Sequence, residues 1–137
     1  MKRRAFNSSK EDWKLVHDIC YGCGSDSIKD TYNYIRAAQY YGGDKFILDI
    51  FDESAFFCGI RNRTHVRCIA IAVMSSAHRK GAGRKILMYE MKKASAAGIH
   101  QITLRTSRKE DGVRFWLAAG AKFTGRHGED WVMRIQF

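Results

Sequence analysis

The amino-acid sequence predicts an α/β (α+β) fold, with a mixed central sheet of about seven strands and four helices. The prediction starts from the run at 68–73, which is apolar throughout and β-branched at alternate positions, as is typical of a strand buried on both faces. A glycine-rich basic turn at 78–85 follows, and Leu87, Met91 and Ala94 then recur at helical spacing. A strand, a basic turn and a helix in immediate succession are therefore the centre of the predicted fold.

The first half of the chain is predicted to supply one weak strand, two helices and two further strands ahead of that centre. The weak strand covers 2–6, and Ser8-x-x-Glu11 matches a capping box, so the first helix is expected over about 9–20. Asp26 or Ser27 is expected to cap the second helix. The short connections make the next three strands antiparallel. They are predicted at 45–51, 55–60 and 66–73.

The second half is predicted to add a strand, a helix and a hairpin. Gly98 ends the helix that follows the basic turn, and the strand at 99–105 should lie parallel to the 66–73 strand because a helix connects them. Ser107-x-x-Glu110 is a second capping box. A hairpin with strands at 121–124 and 131–137 closes the chain, so the predicted order is β-α-α-β-β-β-α-β-α-β-β.

Length and composition favour one soluble domain covering 1–137. No linker rich in proline, glycine or serine divides the chain, 45% of its residues are apolar and 28% are charged, which excludes a disordered protein. No apolar run is long enough to cross a membrane. Polar residues follow Met1-Lys2-Arg3-Arg4 where a signal peptide would be apolar, so a cytoplasmic location without membrane contact is expected.

The formal charge of +10 suits a ligand that carries several phosphates. The remaining positive charge would suit an acidic partner or nucleic acid, or it is a solvated surface. Nucleic acid is possible but not favoured, because the Lys and Arg residues are spread over the chain and no strip of alternating aromatic and basic residues is present.

The four cysteines are expected to be reduced thiols in the core. Cys20 and Cys23 form a Cys-x-x-Cys pair, but Cys58 and Cys68 fall on neighbouring strands and do not make the second close pair that a zinc site requires. No metal is expected.

The basic turn has the physical features of an anion cradle. The first N–H groups of a helix have no partner within the helix, the helix dipole is positive at that end, and glycine allows a phosphate to approach the backbone. The alternative is that Gly81 and Gly83 only make a tight connection between strand and helix.

The segment resembles the acyl-CoA-binding motif of the GNAT N-acetyltransferase superfamily, which is Gln/Arg-x-x-Gly-x-Gly/Ala at the start of a helix, eight residues after a strand valine. Here the motif reads His78-Arg79-Lys80-Gly81-Ala82-Gly83, Val73 lies at the matching offset, and His78 replaces the usual Gln or Arg. The order of elements also matches the GNAT fold over the full chain. The resemblance implies an N-acetyltransferase that uses acetyl-CoA as cosubstrate, needs no metal, and works as a monomer or homodimer on an unidentified amine.

The resemblance also implies roles for individual residues. Cofactor binding falls to Ile71 and Val73 for the pantetheine arm, to His78, Arg79, Lys80, Gly81, Ala82, Gly83 and Arg84 for the pyrophosphate, and to Lys109 where the family often has Asn. Catalytic positions are Val73 or Met74, whose backbone N–H would face the thioester oxygen, and Trp116, which replaces a catalytic Tyr. The acceptor would meet the second helix. Tyr32 and Asp49 are the principal expected substrate contacts, with Asp26, Tyr34 and Tyr41 as further candidates, although packing is the commoner use of tyrosine.

The general base is left open. Arg67 stands where some members have a glutamate, and an arginine cannot act as a base. Water, a neutral amine or one of five side chains remain, namely Asp49, Asp52, His65, Asp111 and His127. Arg67 and Trp116 favour an alternative function, that of a weak or inactive GNAT-fold binding or structural protein of the small kind found among bacteriophage products. A third alternative is an acetyltransferase acting on a nucleic-acid-borne amine.

Overall fold

A computed structural model describes residues 1–77, 81–106 and 110–137, with the side chains of all of these except 26, 27, 110 and 111. The predicted order of elements and the mixed sheet are confirmed. In chain order the elements are β1 (Arg3–Ala5), α1 (Lys10–Gly22), α2 (Asp26–Gly42), β2 (Phe46–Phe51), β3 (Ala55–Arg61), β4 (Val66–Val73), α3 (Ala82–Ala96), β5 (Gln101–Thr106), α4 (Glu110–Ala118), β6 (Lys122–His127) and β7 (Asp130–Gln136).

The described strands form one seven-stranded sheet in the order β1-β2-β3-β4-β5-β7-β6. Neighbouring strands are antiparallel except β4 and β5, which are parallel because α3 connects them across one face of the sheet. The predicted parallel crossover is therefore confirmed. The two halves of the sheet meet at this pair.

The residues that cap the first two helices differ from the predicted caps by one or two positions. Ser9, not Ser8, caps α1, and its Oγ accepts a hydrogen bond from the backbone N–H of Asp12 at 3.1 Å. Ser25, not Asp26 or Ser27, caps α2 and accepts from the N–H of Ile28 at 3.4 Å. The second predicted capping residue, Ser107, lies outside the described residues.

Two apolar cores cover the two faces of the sheet. On one face α1 and α2 pack through Val16, Ile19 and Ile35 against alternate residues of β2, β3 and β4. On the other face α3 and α4 pack through Ile86, Leu87 and Trp116 against β3, β4, β5 and β7. All four cysteines are free thiols and buried. Burial raises the pKa of Cys20 to about 12.

Within the described ranges, none of the helices is both long enough and apolar enough to cross a membrane.

Candidate active site

The parallel strands β4 and β5 part in the middle of the sheet. Their described pairing covers only Val66 with Ile102, Arg67 with Thr103, and Cys68 with Leu104. Beyond these pairs β4 continues to Val73 and β5 to Thr106. The strands therefore leave a wedge between their carboxyl ends, which we name the β4–β5 opening.

A β-bulge in β4 lies where the strands part. Cys58 of β3 opposes Ala70 while the next residue, Gly59, opposes Cys68, so Ile69 is an extra residue on β4. Ile69 and Ala70 consequently both face the α1–α2 core. A bulge bends its strand and increases the local twist. This bulge lies directly beyond the last described β4–β5 pair, that of Cys68 with Leu104.

Gly59 allows the bulge to form, because a Cβ at this position would lie 2.8 Å from the backbone oxygen of Arg67. No side chain other than hydrogen fits so close to a neighbouring strand.

In the sequence, the amino-terminal end of α3 follows shortly after the end of β4, beside which the β4–β5 opening lies. Gly81 caps the helix with φ of 89°, a left-handed conformation that favours glycine, and a Cβ there would meet nothing within 4 Å. Gly83 has a different role, since a Cβ on it would lie 3.1 Å from the Phe115 ring. Gly81 thus provides open backbone at the helix end, and Gly83 lets α4 pack closely against α3.

The other expected pyrophosphate contacts divide between described and undescribed parts of the chain. Ala82 is the first residue of α3, and exposed Arg84 in the same turn donates a hydrogen bond to the Ala118 oxygen at 2.8 Å. Four of the residues expected to bind the cofactor lie outside the described residues: His78, Arg79, Lys80 and Lys109.

The residues expected to bind the pantetheine arm and the thioester, namely Ile71, Val73 and Met74, lie at the end of β4. Ile71 and Val73 are half-buried against the α3–α4 core, beside the opening. The Met74 N–H donates to the Ser54 oxygen at 2.9 Å. A role for Met74 as oxyanion donor therefore does not fit this arrangement, because its N–H already has a partner.

Arg67 occupies the side of β4 that faces α2. Its guanidinium donates a hydrogen bond to the Tyr34 hydroxyl at 2.9 Å, and the same side chain lies 6.0 Å from the centre of that ring. The position at which the GNAT resemblance allows a carboxylate base is thus cationic here and is hydrogen-bonded to a tyrosine of α2.

Tyr32 lies in an aromatic group between α1 and α2. Its ring makes edge contacts with Trp13 and His17, at centroid distances of 6.2 and 5.0 Å, and its hydroxyl accepts a weak hydrogen bond from Arg36 at 3.4 Å. The ring packs against the α1–α2 core, as tyrosines commonly do. Tyr41 is fully on the surface, with 84% of it exposed.

Asp49 lies on the opposite face of the sheet from Tyr32. Only 2% of it is exposed, and its carboxylate is paired with Arg3 of β1 and Lys93 of α3. Burial opposes the charged form, but interactions with Glu90, Lys93 and Arg3 hold the pKa of Asp49 below its usual value. The expected substrate contact does not fit this position, because a buried carboxylate held by two cations is not open to an acceptor.

Glu90 is the residue of this cluster that sequence reasoning missed. It lies on α3 with 3% exposure, its Oε2 is 3.2 Å from the Lys93 ammonium, and its Oε1 has no hydrogen-bond partner among the described residues. Burial, followed by the neighbouring Asp49 carboxylate, raises the pKa of Glu90 to about 9. The only signal in the sequence is that Glu90 falls between Leu87, Met91 and Ala94 on an apolar helical face.

Trp116 lies in the α3–α4 core with 8% exposure, and its ring centroid is 5.1 Å from that of Phe115. A catalytic acid must reach the departing thiolate. The expected catalytic role of Trp116 does not fit a side chain packed in the core.

The remaining candidate bases are scattered. Asp52 lies in the β2–β3 turn and accepts a hydrogen bond from the Lys2 N–H. His65 lies in the β3–β4 turn and is hydrogen-bonded to Asn62 and Thr64, and His127 is exposed on β6. The side chain of Asp111 is not among those described. The described side chains thus place no carboxylate or imidazole of this group at the opening, and they include no cluster of three or more His, Cys, Asp or Glu suited to a metal ion.

Comparison with known proteins gives a likeness of fold. No protein-family model matches the chain, and no curated protein sequence matches it. Among solved structures, an acetyltransferase of the GNAT family from Desulfovibrio desulfuricans superposes with a TM-score of 0.76 at 18% identity over 98% of each chain. The PaiA N-acetyltransferase of Thermoplasma acidophilum, in complex with coenzyme A, gives 0.75 at 16% identity over 100% of each chain. The ribosomal-protein-S18-alanine N-acetyltransferase of Escherichia coli gives 0.74 at 12% identity over 98% of this chain and 92% of its own.

Identities this low show a shared architecture and leave the substrate open, since one fold hosts many functions. The parted strands, the bulge and the glycine-capped helix are set in that architecture. The chain therefore has the fold of the GNAT N-acetyltransferases.

Proposed function

We propose that the protein is an acetyl-CoA-dependent N-acetyltransferase that acts on an amine by direct attack on the thioester. The observation that carries the proposal is the coincidence of two features in one short stretch of chain. The β4–β5 opening offers strand backbone beside a wedge, and the amino-terminal end of α3 follows it with an open, left-handed glycine. A ligand with an amide-containing arm and a pyrophosphate would use both.

In this proposal each group of residues binds a different part of acetyl-CoA. Ile71 and Val73 lie beside the pantetheine arm, while Gly81, Ala82, Gly83 and Arg84 surround the pyrophosphate. The amine nitrogen attacks the thioester carbon, the C–N bond forms, the C–S bond breaks, and the coenzyme leaves as a thiolate while the amine loses a proton to water. Positioning of the two reactants supplies most of the rate, because the described side chains place no general base at the opening.

The experiment is calorimetric titration with acetyl-CoA, with Gly81→Val as the test variant and Gly98→Val as its matched control. Both glycines have positive φ, 89° and 81°, and a Cβ on either would meet nothing within 4 Å. The two substitutions therefore cost similar backbone strain, but only the first places methyl groups at the start of α3. Binding that falls at least about tenfold, or about 1.4 kcal/mol, in Gly81→Val alone supports the proposal. Equal binding by both variants refutes it.

Turnover is tested by release of the coenzyme A thiol in the presence of amines of different size. These include a peptide that begins with alanine, because the Escherichia coli neighbour is named for an alanine of ribosomal protein S18. A second candidate function, a coenzyme A-binding protein without turnover, is favoured by the cationic Arg67 and the buried Trp116. Binding of acetyl-CoA with no thiol release from any amine would select this candidate over the enzyme.

A further inference from the structure

In the described part of the chain, the half of the sheet formed by β5, β7 and β6 is covered by helices on the α3–α4 side only. α1 and α2 pack on β2, β3 and β4. In β5 and β7, Ile102, Leu104, Met133 and Ile135 point into the α3–α4 core, so the alternate residues point to the other side. The exposed or half-buried residues on that side include Gln101, Thr103, Arg105, Val132, Arg134 and Gln136 of these two strands, and Lys122 of β6, opposite Arg134, lies on the same side.

The strand registers gather distant cations on this side. Arg67 of β4 is opposite Thr103, Thr103 is opposite Arg134, and Arg134 is opposite Lys122 of the edge strand β6. Neighbouring strands lie about 4.8 Å apart, so Arg134 and Lys122 are adjacent and Arg67 lies about 10 Å from Arg134. Arg105 is two residues further along β5. We name these four cations, Arg67, Arg105, Lys122 and Arg134, the basic sheet face.

The charge of the basic sheet face is largely uncompensated. Within the described part of the chain, Arg105, Lys122 and Arg134 make no ion pair, and the polar partner of Arg67 is the Tyr34 hydroxyl. Among the described residues of β5, β6 and β7, the acid directed to this side is Asp130, which lies at the hairpin end of β7 opposite His127. The face therefore favours an anionic partner.

We propose that the basic sheet face binds the phosphodiester backbone of a single-stranded nucleic acid. Three of its four cations are arginines, whose planar forks match phosphate oxygens. Thr103 and Gln136 add uncharged polar groups, and Val132 is the one apolar side chain that β5 and β7 direct to this side, so these strands offer few of the apolar anchors of a protein interface. Tyr34, half of whose surface is exposed, adds a ring on which a base can stack beside Arg67.

The basic sheet face extends to the β4–β5 opening. Arg67 and Thr103 form the middle of the three β4–β5 pairs, directly before the strands part. A strand of nucleic acid lying across β6, β7 and β5 therefore leads to the β4–β5 opening. Residues that are far apart in the sequence make this surface, which is why the even spread of Lys and Arg along the chain did not favour nucleic acid.

The test is fluorescence anisotropy with labelled oligouridylate and oligothymidylate of about 12 nucleotides, a length within the site size of small single-strand binders. Four phosphate contacts predict a slope of about −2.8 in log affinity against log salt, or about 50-fold weaker binding between about 50 and 200 mM salt. The triple variant Arg105→Gln/Lys122→Gln/Arg134→Gln should leave a slope of about −0.7. The control Lys10→Gln/Lys45→Gln/Lys92→Gln removes the same charge from exposed sites elsewhere and should keep the full slope.

Binding of either oligonucleotide with this pattern supports the proposal, and tighter binding of the RNA would add a contact to its 2′-hydroxyls. No binding of either at about 100 μM protein in low salt overturns it, as does an equal loss in the two triple variants. Displacement by an oligoglutamate of equal charge as readily as by unlabelled oligonucleotide also overturns it, because the face would then read charge alone. The proposal does not depend on acetyl transfer, and the first triple variant should bind acetyl-CoA as the parent does.

Discussion

Replacing Glu90 by glutamine is expected to stabilise the protein, and to do so increasingly as the pH rises. Glu90 is buried against Asp49 and Lys93, and one of its oxygens has no hydrogen-bond partner among the described residues. The amide has nearly the same shape and no charge. It can accept from the Lys93 ammonium and donate toward the Asp49 carboxylate, as the protonated acid does.

The magnitude follows from the pKa of Glu90, which burial and Asp49 raise from 4.5 to about 9. A group whose pKa is raised by folding contributes its full stability below the unfolded value and loses it as the pH rises through the folded value, at about 1.4 kcal/mol per pH unit. At pH 7 the parent protein has thus lost about 3 kcal/mol that the glutamine variant keeps. At pH 5 the difference should be about 1 kcal/mol.

The assay is urea unfolding of both proteins at pH 5, 7 and 8, with Glu129→Gln as control because Glu129 is exposed in the β6–β7 turn. The control should change the free energy of unfolding by less than about 0.5 kcal/mol at every pH. A glutamine variant that is less stable than the parent at pH 8, or a difference that does not change with pH, would show that Glu90 is ionised in the folded protein and would refute the reasoning.

Three further predictions concern the fold. Gly59→Ala should cost about 1–3 kcal/mol in urea unfolding, because the new Cβ would lie 2.8 Å from a backbone oxygen of β4, whereas Gly125→Ala, where a Cβ meets open space, should be nearly neutral; equal effects would contradict the close approach. Ser9→Ala should cost about 1 kcal/mol by removing the α1 cap, and an unchanged midpoint would argue against the cap. Cys58 and Cys68, whose pKa values burial raises, should react with a thiol reagent only after unfolding, and rapid labelling of the native protein would contradict their burial.

Hydrophobic periodicity was sufficient for the order of elements but not for their ends. The sequence assigned the first capping box to Ser8, whereas Ser9 caps α1 by accepting from the N–H of Asp12, whose carboxylate is held by Arg4 and the Asn7 N–H. A capping pattern in the sequence does not reveal contacts of this kind between a strand and the helix that follows it. Caps were therefore placed to within two residues and no better.

The glycine turn and Val73 lie close together in the sequence, so a candidate cofactor site could be recognised there, and its binding of acetyl-CoA stays a prediction. Contacts between distant residues could not be recognised in this way. Asp49 stands in an apolar strand, and nothing local says that it faces Lys93 and Glu90 of α3 rather than the tyrosines of α2. The sequence also did not show which face of the sheet each side chain of β4 occupies. The run at 68–73 is apolar at every position, so it gives no sign of which residue is the extra one in the bulge.

The bulge in β4 depends on the single residue Ile69. Side chains alternate along a regular strand, so deleting one residue there exchanges the faces of everything beyond it, but Ile69 is the extra residue of a bulge and its deletion leaves Ala70 opposite Cys58. A loss of the Ile69 codon would restore regular pairing between β3 and β4 and remove the bend that the bulge introduces. We therefore expect an in-frame deletion of this one codon to extend the pairing between β4 and β5 and to narrow the β4–β5 opening.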